Sequence, residues 1–305
     1  MMKICCGREN HLSLQCTDTI LPFCQLHKMW TLAVIIFIGL IITLYGYFVE
    51  PGTVRLKTIK IRNVSLASTF GDFKIVLISD LHIGDNWSTS ATRALKIVNG
   101  IKPDLIMLTG DYLKWKGNKS GYDNAINYLS HLNASIGVYA VMGDSDCFVS
   151  TKSCDLCHKE GSIFPETHNK IKFLSNSQAI LENKGKKFAI SGMKKDSRDI
   201  GDLGSAPSMP ADIPNIILSH SSLVYRSIDA NRNVLVLSGD THGGQVYLPE
   251  FIWKIIKIKP DPEHMYGLYK DKNKALYVTS GIGTSAKFPI RIGVPPEVVL
   301  FKFNE

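Results

Sequence analysis

No disulfide framework can be drawn through this chain. Its seven cysteines fall into two groups, Cys5, Cys6, Cys16 and Cys24 near the start and Cys147, Cys154 and Cys157 in one later segment. Distant parts of a fold are not stapled by such spacing, which fits a reducing compartment better than an oxidising one. No stretch combines a dense Lys/Arg run with interleaved aromatics. Nucleic acid is therefore not an expected partner, although the formal net charge is +8. A basic balance favours anionic lipid or a phosphate-bearing substrate instead. There is no internal repeat or low-complexity tract, which sets aside solenoid arrays. Neither a small-x-small cleavage site nor a twin-Arg pair accompanies the N-terminal apolar run, which argues against a removed leader.

That run, residues 30–49, carries no charged side chain. At ~1.5 Å rise per residue it is long enough to cross a ~30 Å hydrocarbon core. Trp30 stands at one end and Tyr45 and Tyr47 near the other, as in an aromatic belt. Glu50-Pro51-Gly52 reads as a helix stop. The expected organisation is a tail over 1–28 with no fold signal, a retained single-pass helix over 29–49, a linker and first strand over 50–70, and one large domain over 71–305. Met29 is an alternative start. Arg55, Lys57, Lys60 and Arg62 follow the helix, and the positive-inside rule places the large domain in the cytoplasm.

From residue 73 onward, apolar β-branched runs alternate with helical spacing. Strands are expected over 73–79, 105–109, 137–142, 188–193, 215–219, 234–237, 275–279 and 298–303. Helices are expected over 91–99, 122–132 and 222–228. Strand–helix alternation with fully apolar strands argues a layered α/β domain with helices covering the sheets.

The polar residues gather where the strands end. Asp80 and His82 follow the first, Asp111 the second, Asp144, Ser145 and Asp146 the third, His220 a later one. The run Leu237 to Gln245 then stops at Gly239 and shows Asp240, Thr241 and His242 before two glycines. Open α/β sheets place ligand sites at the carboxyl ends of strands. Asp80, His82, Asp111, Asp144, His220, Asp240 and His242 would meet in one cleft, where the carboxylates would repel one another without a cation. A mixed Asp/His set suits a pair of divalent metals, which would clamp a phosphoryl group and acidify a bridging water.

The order Asp80-Leu81-His82, Gly110-Asp111, Gly143-Asp144-Ser145-Asp146, His220 and Gly239-Asp240-Thr241-His242 resembles the calcineurin-like metallophosphoesterases. It is closer to their membrane-anchored bacterial branch of phosphodiesterases and UDP-2,3-diacylglucosamine pyrophosphatases, through Lys102-Pro103-Asp104, His242-Gly243-Gly244-Gln245, the run from Tyr277 to Ser285 and the run from Arg291 to Glu297. The resemblance implies a four-layer α/β/β/α sandwich. It also implies that Asp80, His82 and His242 hold one metal, that Asp111 bridges, and that His220, Asp144 and Asp240 hold the second. Two of these depart from the family, which has Asn where Asp144 stands and His where Asp240 stands. The more anionic second site tilts the pair toward manganese, with magnesium, calcium, iron and zinc as alternatives. The family's catalytic His is Ser145 here, while the Asp that pairs with it remains as Asp146, the candidate catalytic carboxylate.

Two further signals are local. Cys154-Asp155-Leu156-Cys157-His158 matches a haem-attachment pattern, against readings as a metal or redox pair or plain loop cysteines. Residues 247–259 mix Tyr, Phe, Trp and Ile with lysines, as an element touching anionic membrane does, or as a packed element with its lysines in water. The expected activity is a membrane-anchored, dinuclear-metal phosphoesterase acting on a phosphodiester or pyrophosphate bond, in a lipid- or nucleotide-linked substrate such as a lipid A precursor. The alternative is a metal- or phosphate-binding protein of the same fold with weak or no catalysis.

Overall fold

A computed structural model of the chain describes residues 17–71, 73–114, 119–146, 167–168, 170–193, 213–256, 261–285 and 289–304. The Cys147, Cys154 and Cys157 segment lies outside them. So do the start of the N-terminal tail and Lys257 to Lys259.

The described strands are β1 (Arg55–Arg62), β2 (Ile75–Ile78), β3 (Leu105–Leu108), β4 (Gly137–Ala140), β5 (Thr167–His168), β6 (Ile171–Phe173), β7 (Ser177–Asn183), β8 (Lys186–Gly192), β9 (Asn215–Leu218), β10 (Val234–Ser238), β11 (Gly267–Asp271), β12 (Lys274–Val278) and β13 (Glu297–Asn304). The α-helices are α1 (Thr17–Phe48), α2 (Val64–Phe70), α3 (Thr89–Ile101), α4 (Lys119–Ser130) and α5 (Glu250–Ile256). Two sheets form, one in the order β1-β13-β2-β3-β4-β6-β5 and the other β11-β12-β10-β9-β8-β7. Strands β2, β3, β4 and β6 run parallel, as do β8, β9, β10 and β12.

All four residues of β2 and of β3 are buried. This is what parallel strands covered on both faces require, and it explains why their sequences show no alternation. The even-facing side chains Val76, Ile78, Ile106 and Leu108 pack under the Ala91, Leu95, Tyr128 and Leu129 side chains of α3 and α4. The odd-facing Ile75, Leu77, Leu105 and Met107 meet Ile216, Leu218, Leu235 and Leu237 of the second sheet. A third apolar layer covers that sheet's outer face, where Val236 and Leu276 pack beneath Val224 and Ile228. The result is the four-layer sandwich.

Three differences from expectation have local causes. Helix α1 begins at Thr17, well before the apolar run. Among the described residues one helix, spanning His27–Gly52, is long and apolar enough to cross a membrane by length and composition. The 222–228 segment is a 3-10 helix over Ser222–Ser227, capped by the Ser221 hydroxyl on Leu223 N. Strands β7 and β11 escape the apolar pattern because each is a half-exposed edge strand with mixed polarity.

Residues Met1–Leu44 and Tyr45–Glu305 are two separate compact units. In the larger one the last turn of α1 is fastened to the segment before β13. Arg291 N donates to Gly46 O at 2.9 Å, and Gly293 N donates to the Glu50 carboxylate at 3.0 Å. Gly46 is required for this approach, since a Cβ there would lie 2.7 Å from Ile292 and 2.8 Å from Arg291 O.

Leu77 is fully buried between the sheets. Leu77→Ala should lower unfolding free energy by about 2–5 kcal/mol in a denaturant titration. A loss under about 0.5 kcal/mol would mean that the two sheets do not close on each other there.

Candidate metal centre

Five of the seven candidate ligands leave their strands on a bent backbone. Asp80, His82, Asp111, Asp240 and His242 have φ of 53°, 46°, 55°, 71° and 51°. This left-handed conformation costs a non-glycine residue about 1–3 kcal/mol and is stored at functional sites. The turns are held from outside. Asp80 N donates to Gly110 O, His82 N to Asp111 O, and Asp240 N to the Asp80 carboxylate at 2.9, 3.0 and 3.1 Å. Glycines let the loops close together: a Cβ on Gly143 would collide with the Asp111 carboxylate, and one on Gly239 with Ser79 Oγ and Asp80 Oδ2.

The side chains converge as two overlapping clusters. Asp80, His82 and His242 each present a ligand atom within 4.8 Å of the others, and so do Asp80, Asp111 and His220. Asp111 faces both ways, with Oδ2 3.6 Å from His82 Nε2 and Oδ1 3.5 Å from His220 Nε2. Asp240 stands 3.8 Å from His220 Nε2 on the far side. His82 and His242 stack with Nε2 atoms 3.0 Å apart. Asp144 is exposed and outside both clusters, although its charge is felt by Asp240.

Carbonyl groups fix two of the imidazoles. His220 Nδ1 lies 2.8 Å from Thr109 O and His82 Nδ1 3.3 Å from Leu113 O. A carbonyl can only accept, so each Nδ1 carries a proton and each Nε2 is turned into the cleft. Asp80 Oδ2 and His220 Nε2 are buried there with no hydrogen-bond partner. Orphaned buried polar atoms are costly. A hard divalent cation on this Asp/His set satisfies both, so the residues fit a metal pair.

Burial and charge oppose each other in the cleft. Burial alone would lower the His220 pKa, but the Asp111, Asp240 and Asp80 carboxylates raise it to about 10. Burial and the neighbouring carboxylates, Asp80 first, push Asp240 up to about 7 against the pull of His220. Burial, then the positive charges of His82 and Arg291, hold His242 well below its usual range.

Asp146 is fully buried, and its carboxylate accepts peptide N–H groups from Asp111, Tyr112, Leu113 and Gly143 at 2.8–3.1 Å. Burial, with Asp111 nearby, pushes its carboxyl up to about 8 against those donors. This geometry is that of a clamp on the Asp111 turn. The Ser145 hydroxyl is buried beside it, and Ser145 N donates to Asp111 Oδ1 at 2.8 Å.

Arg291 was not anticipated as part of the site. It is fully buried, donates to Ser280 O, Gly283 O and Val294 O, and lies 3.4 Å from His242 Nδ1. In the sequence it stood only as the first residue of the run from Arg291 to Glu297, with no role attached. Within the 247–259 stretch, Glu250–Ile256 form helix α5. Trp253 is buried and packs where a Gly244 Cβ would go, while Phe251, Ile255 and Ile256 are exposed.

Residues 73–244 match the calcineurin-like phosphoesterase family. An uncharacterized metallophosphoesterase, YkuE of Bacillus subtilis, is 27% identical over 84% of this chain and 88% of its own length. The phosphodiesterase YaeI of Escherichia coli is 26% identical over 85% of this chain and 91% of its own. The UDP-2,3-diacylglucosamine pyrophosphatase LpxG of Chlamydia muridarum is 24% identical over 85% and 92%.

Two outcomes follow from the geometry. Asp146→Ala should cost more than about 2 kcal/mol in a thermal or urea melt, because it leaves buried peptide N–H groups without their acceptor, at about 1–3 kcal/mol each. Unchanged stability would contradict the clamp. A metal needs neutral imidazole, and His220 with its pKa about 10 holds a proton at neutral pH. Metal affinity should therefore rise as pH increases toward that value, with proton release visible by calorimetry in buffers of different ionisation enthalpy. An affinity flat with pH and no proton release would contradict the stated electrostatics.

Proposed function

Because the chain belongs to the calcineurin-like phosphoesterase family, we propose that it is a membrane-anchored, dinuclear phosphoesterase cleaving a phosphodiester or pyrophosphate bond in a lipid- or nucleotide-linked substrate. The observation that carries the reading is the pair of buried, unpartnered ligand atoms, Asp80 Oδ2 and His220 Nε2, on either side of Asp111. On this reading Asp80, His82 and His242 hold one cation and His220, Asp240 and Asp144 the other, with Asp111 between them. Two divalent cations, manganese first given the oxygen-rich second site, would supply an acidified water and neutralise the phosphoryl oxygens.

The rest falls to the chain. Thr109 O and Leu113 O aim His220 and His82. Asp146 and Ser145 N orient Asp111, and Arg291 keeps His242 neutral and its loop in place. Hydrolysis forms a phosphorus–oxygen bond to water and breaks the one to the leaving group, which departs as an anion or takes a proton. No imidazole stands at Ser145 to give that proton, and Asp146 is committed to peptide groups. The site therefore favours leaving groups that need none. A phosphate monoester, with second pKa about 6, is one; an alkoxide is not. This favours pyrophosphate over dialkyl diesters.

Turnover of bis-p-nitrophenyl phosphate should appear in a divalent-metal series and fall steeply along aryl diesters of rising phenol pKa. A rate insensitive to the leaving group would sink the pyrophosphate preference. Asp111→Ala should remove both metal occupancy and at least about 10³-fold in rate, the scale of losing an electrostatic group at the reacting centre. The second reading, a binding protein of the same fold, draws on the same Ser145. Metal binding by calorimetry with no turnover in any metal would establish it instead.

A further inference from the structure

Helix α5 carries an apolar face that the mechanism does not use. Trp253 turns inward and packs at Gly244, in the turn that follows His242. Phe251, Ile255 and Ile256 turn outward, 60%, 69% and 53% exposed, and Tyr247 just before the helix is 70% exposed. None of the four lies in the candidate span, which ends at Gly52. Lipid around that span therefore does not account for their exposure. Large apolar side chains grouped around an exposed Lys254 mark a surface that meets something other than water.

What it meets follows from where it stands. Tyr45 to Gly52 belong to the same compact unit as α5. The segment from Arg291 to Gly293 lies between the two. On one side Arg291 N donates to Gly46 O at 2.9 Å, and Ile292 fills the space that a Gly46 Cβ would need. On the other, Tyr247 N donates to Ile292 O and Ile292 N to Gln245 O, both at 2.8 Å. A Cβ on Gly293 would lie 3.0 Å from the Tyr247 Cβ. Hydrogen-bonded backbones stand about 5 Å apart, so Tyr247 is two such steps, about 10 Å, from the last turn of α1. That turn holds Tyr45 and Tyr47, residues of the kind that sit at a membrane–water interface. An interfacial helix sinks about 5–10 Å into the boundary of headgroups and acyl chains. The bilayer surface is therefore within reach of this face, and Lys254 suits its phosphates.

We propose that α5 is a second membrane contact, in which Tyr247, Phe251, Ile255 and Ile256 enter the interfacial layer of the bilayer that holds the span. This rests on the membrane-anchored part of the reading above and concerns a docking surface rather than a substrate. The contact of Trp253 with Gly244 then holds the turn after His242 close to the bilayer surface.

The test places an environment-sensitive fluorescent amino acid at one position at a time in the full chain. The chain is reconstituted in phosphatidylcholine–phosphatidylglycerol vesicles whose acyl chains carry bromine, a quencher, at shallow or deep carbons. Position 255 reports α5 and position 38 the span. Position 187 is the water-facing control, at the amino end of β8 and so at the opposite end of the sheet from the cleft. Shallow bromine should quench position 255 several-fold more than position 187. Phe251→Ser with Ile256→Ser should cut that quenching several-fold and leave position 38 unchanged, with circular dichroism confirming the fold. Position 255 quenched no more than position 187, while position 38 is quenched, would overturn the proposal and leave the anchor standing. Quenching that survives the double serine variant would show proximity without insertion and also overturn it. A blue shift at position 255 only at high protein-to-lipid ratio, without quenching, would assign the face to a second copy of the chain instead. The anchor reading fails in its own channel, when deep bromine leaves position 38 unquenched, whatever position 255 does.

Discussion

Three carboxylates and three imidazoles share one buried cleft, and their mutual charge is the constraint on which the rest depends. Asp80 and Asp111 are buried, Asp240 is nearly so, and their oxygens crowd His220 from three sides. Desolvation and like-charge repulsion would push such a set apart. It persists because five ligand-bearing residues, on three turns, are bent into left-handed backbone and locked by peptide hydrogen bonds across the strand ends. The sandwich supplies that lock. Its parallel strands end at one level, and the apolar layers on either side leave the loops no room to relax. Divalent cations would complete the charge balance.

The support reaches outward in two directions. On one side Asp146 gathers four peptide N–H groups and shapes the Asp111 turn. On the other, Arg291 bridges three carbonyls and His242, while its own peptide N–H grips the last turn of α1. A single buried arginine thus joins the cleft to the helix that passes for a membrane span.

Much of this was legible from residues alone, for definable reasons. Fully apolar runs such as 75–78 and 105–108 show as strands because burial on both faces removes polar positions. The polar residues that follow them stand out for the same reason. Six of the seven expected ligands come together in the structure, and Asp144 stands exposed at the edge. Edge strands β7 and β11 were missed because half-exposed strands lack a clean period. Asp146 carries no mark in the sequence that separates a clamp from a catalytic acid, because the difference lies in which groups its oxygens meet. The roles of Arg291 and Gly46 are invisible for a similar reason: each matters through an approach of segments some 245 positions apart, as Arg291 N and Gly46 O show.

The central claim is a pair of cations sharing Asp111. Electron paramagnetic resonance of the manganese-loaded full chain tests it most directly. The account predicts two ions per chain and the spectrum of an exchange-coupled pair, lost in Asp111→Ala. One ion per chain with an uncoupled mononuclear spectrum, unchanged in that variant, would contradict it.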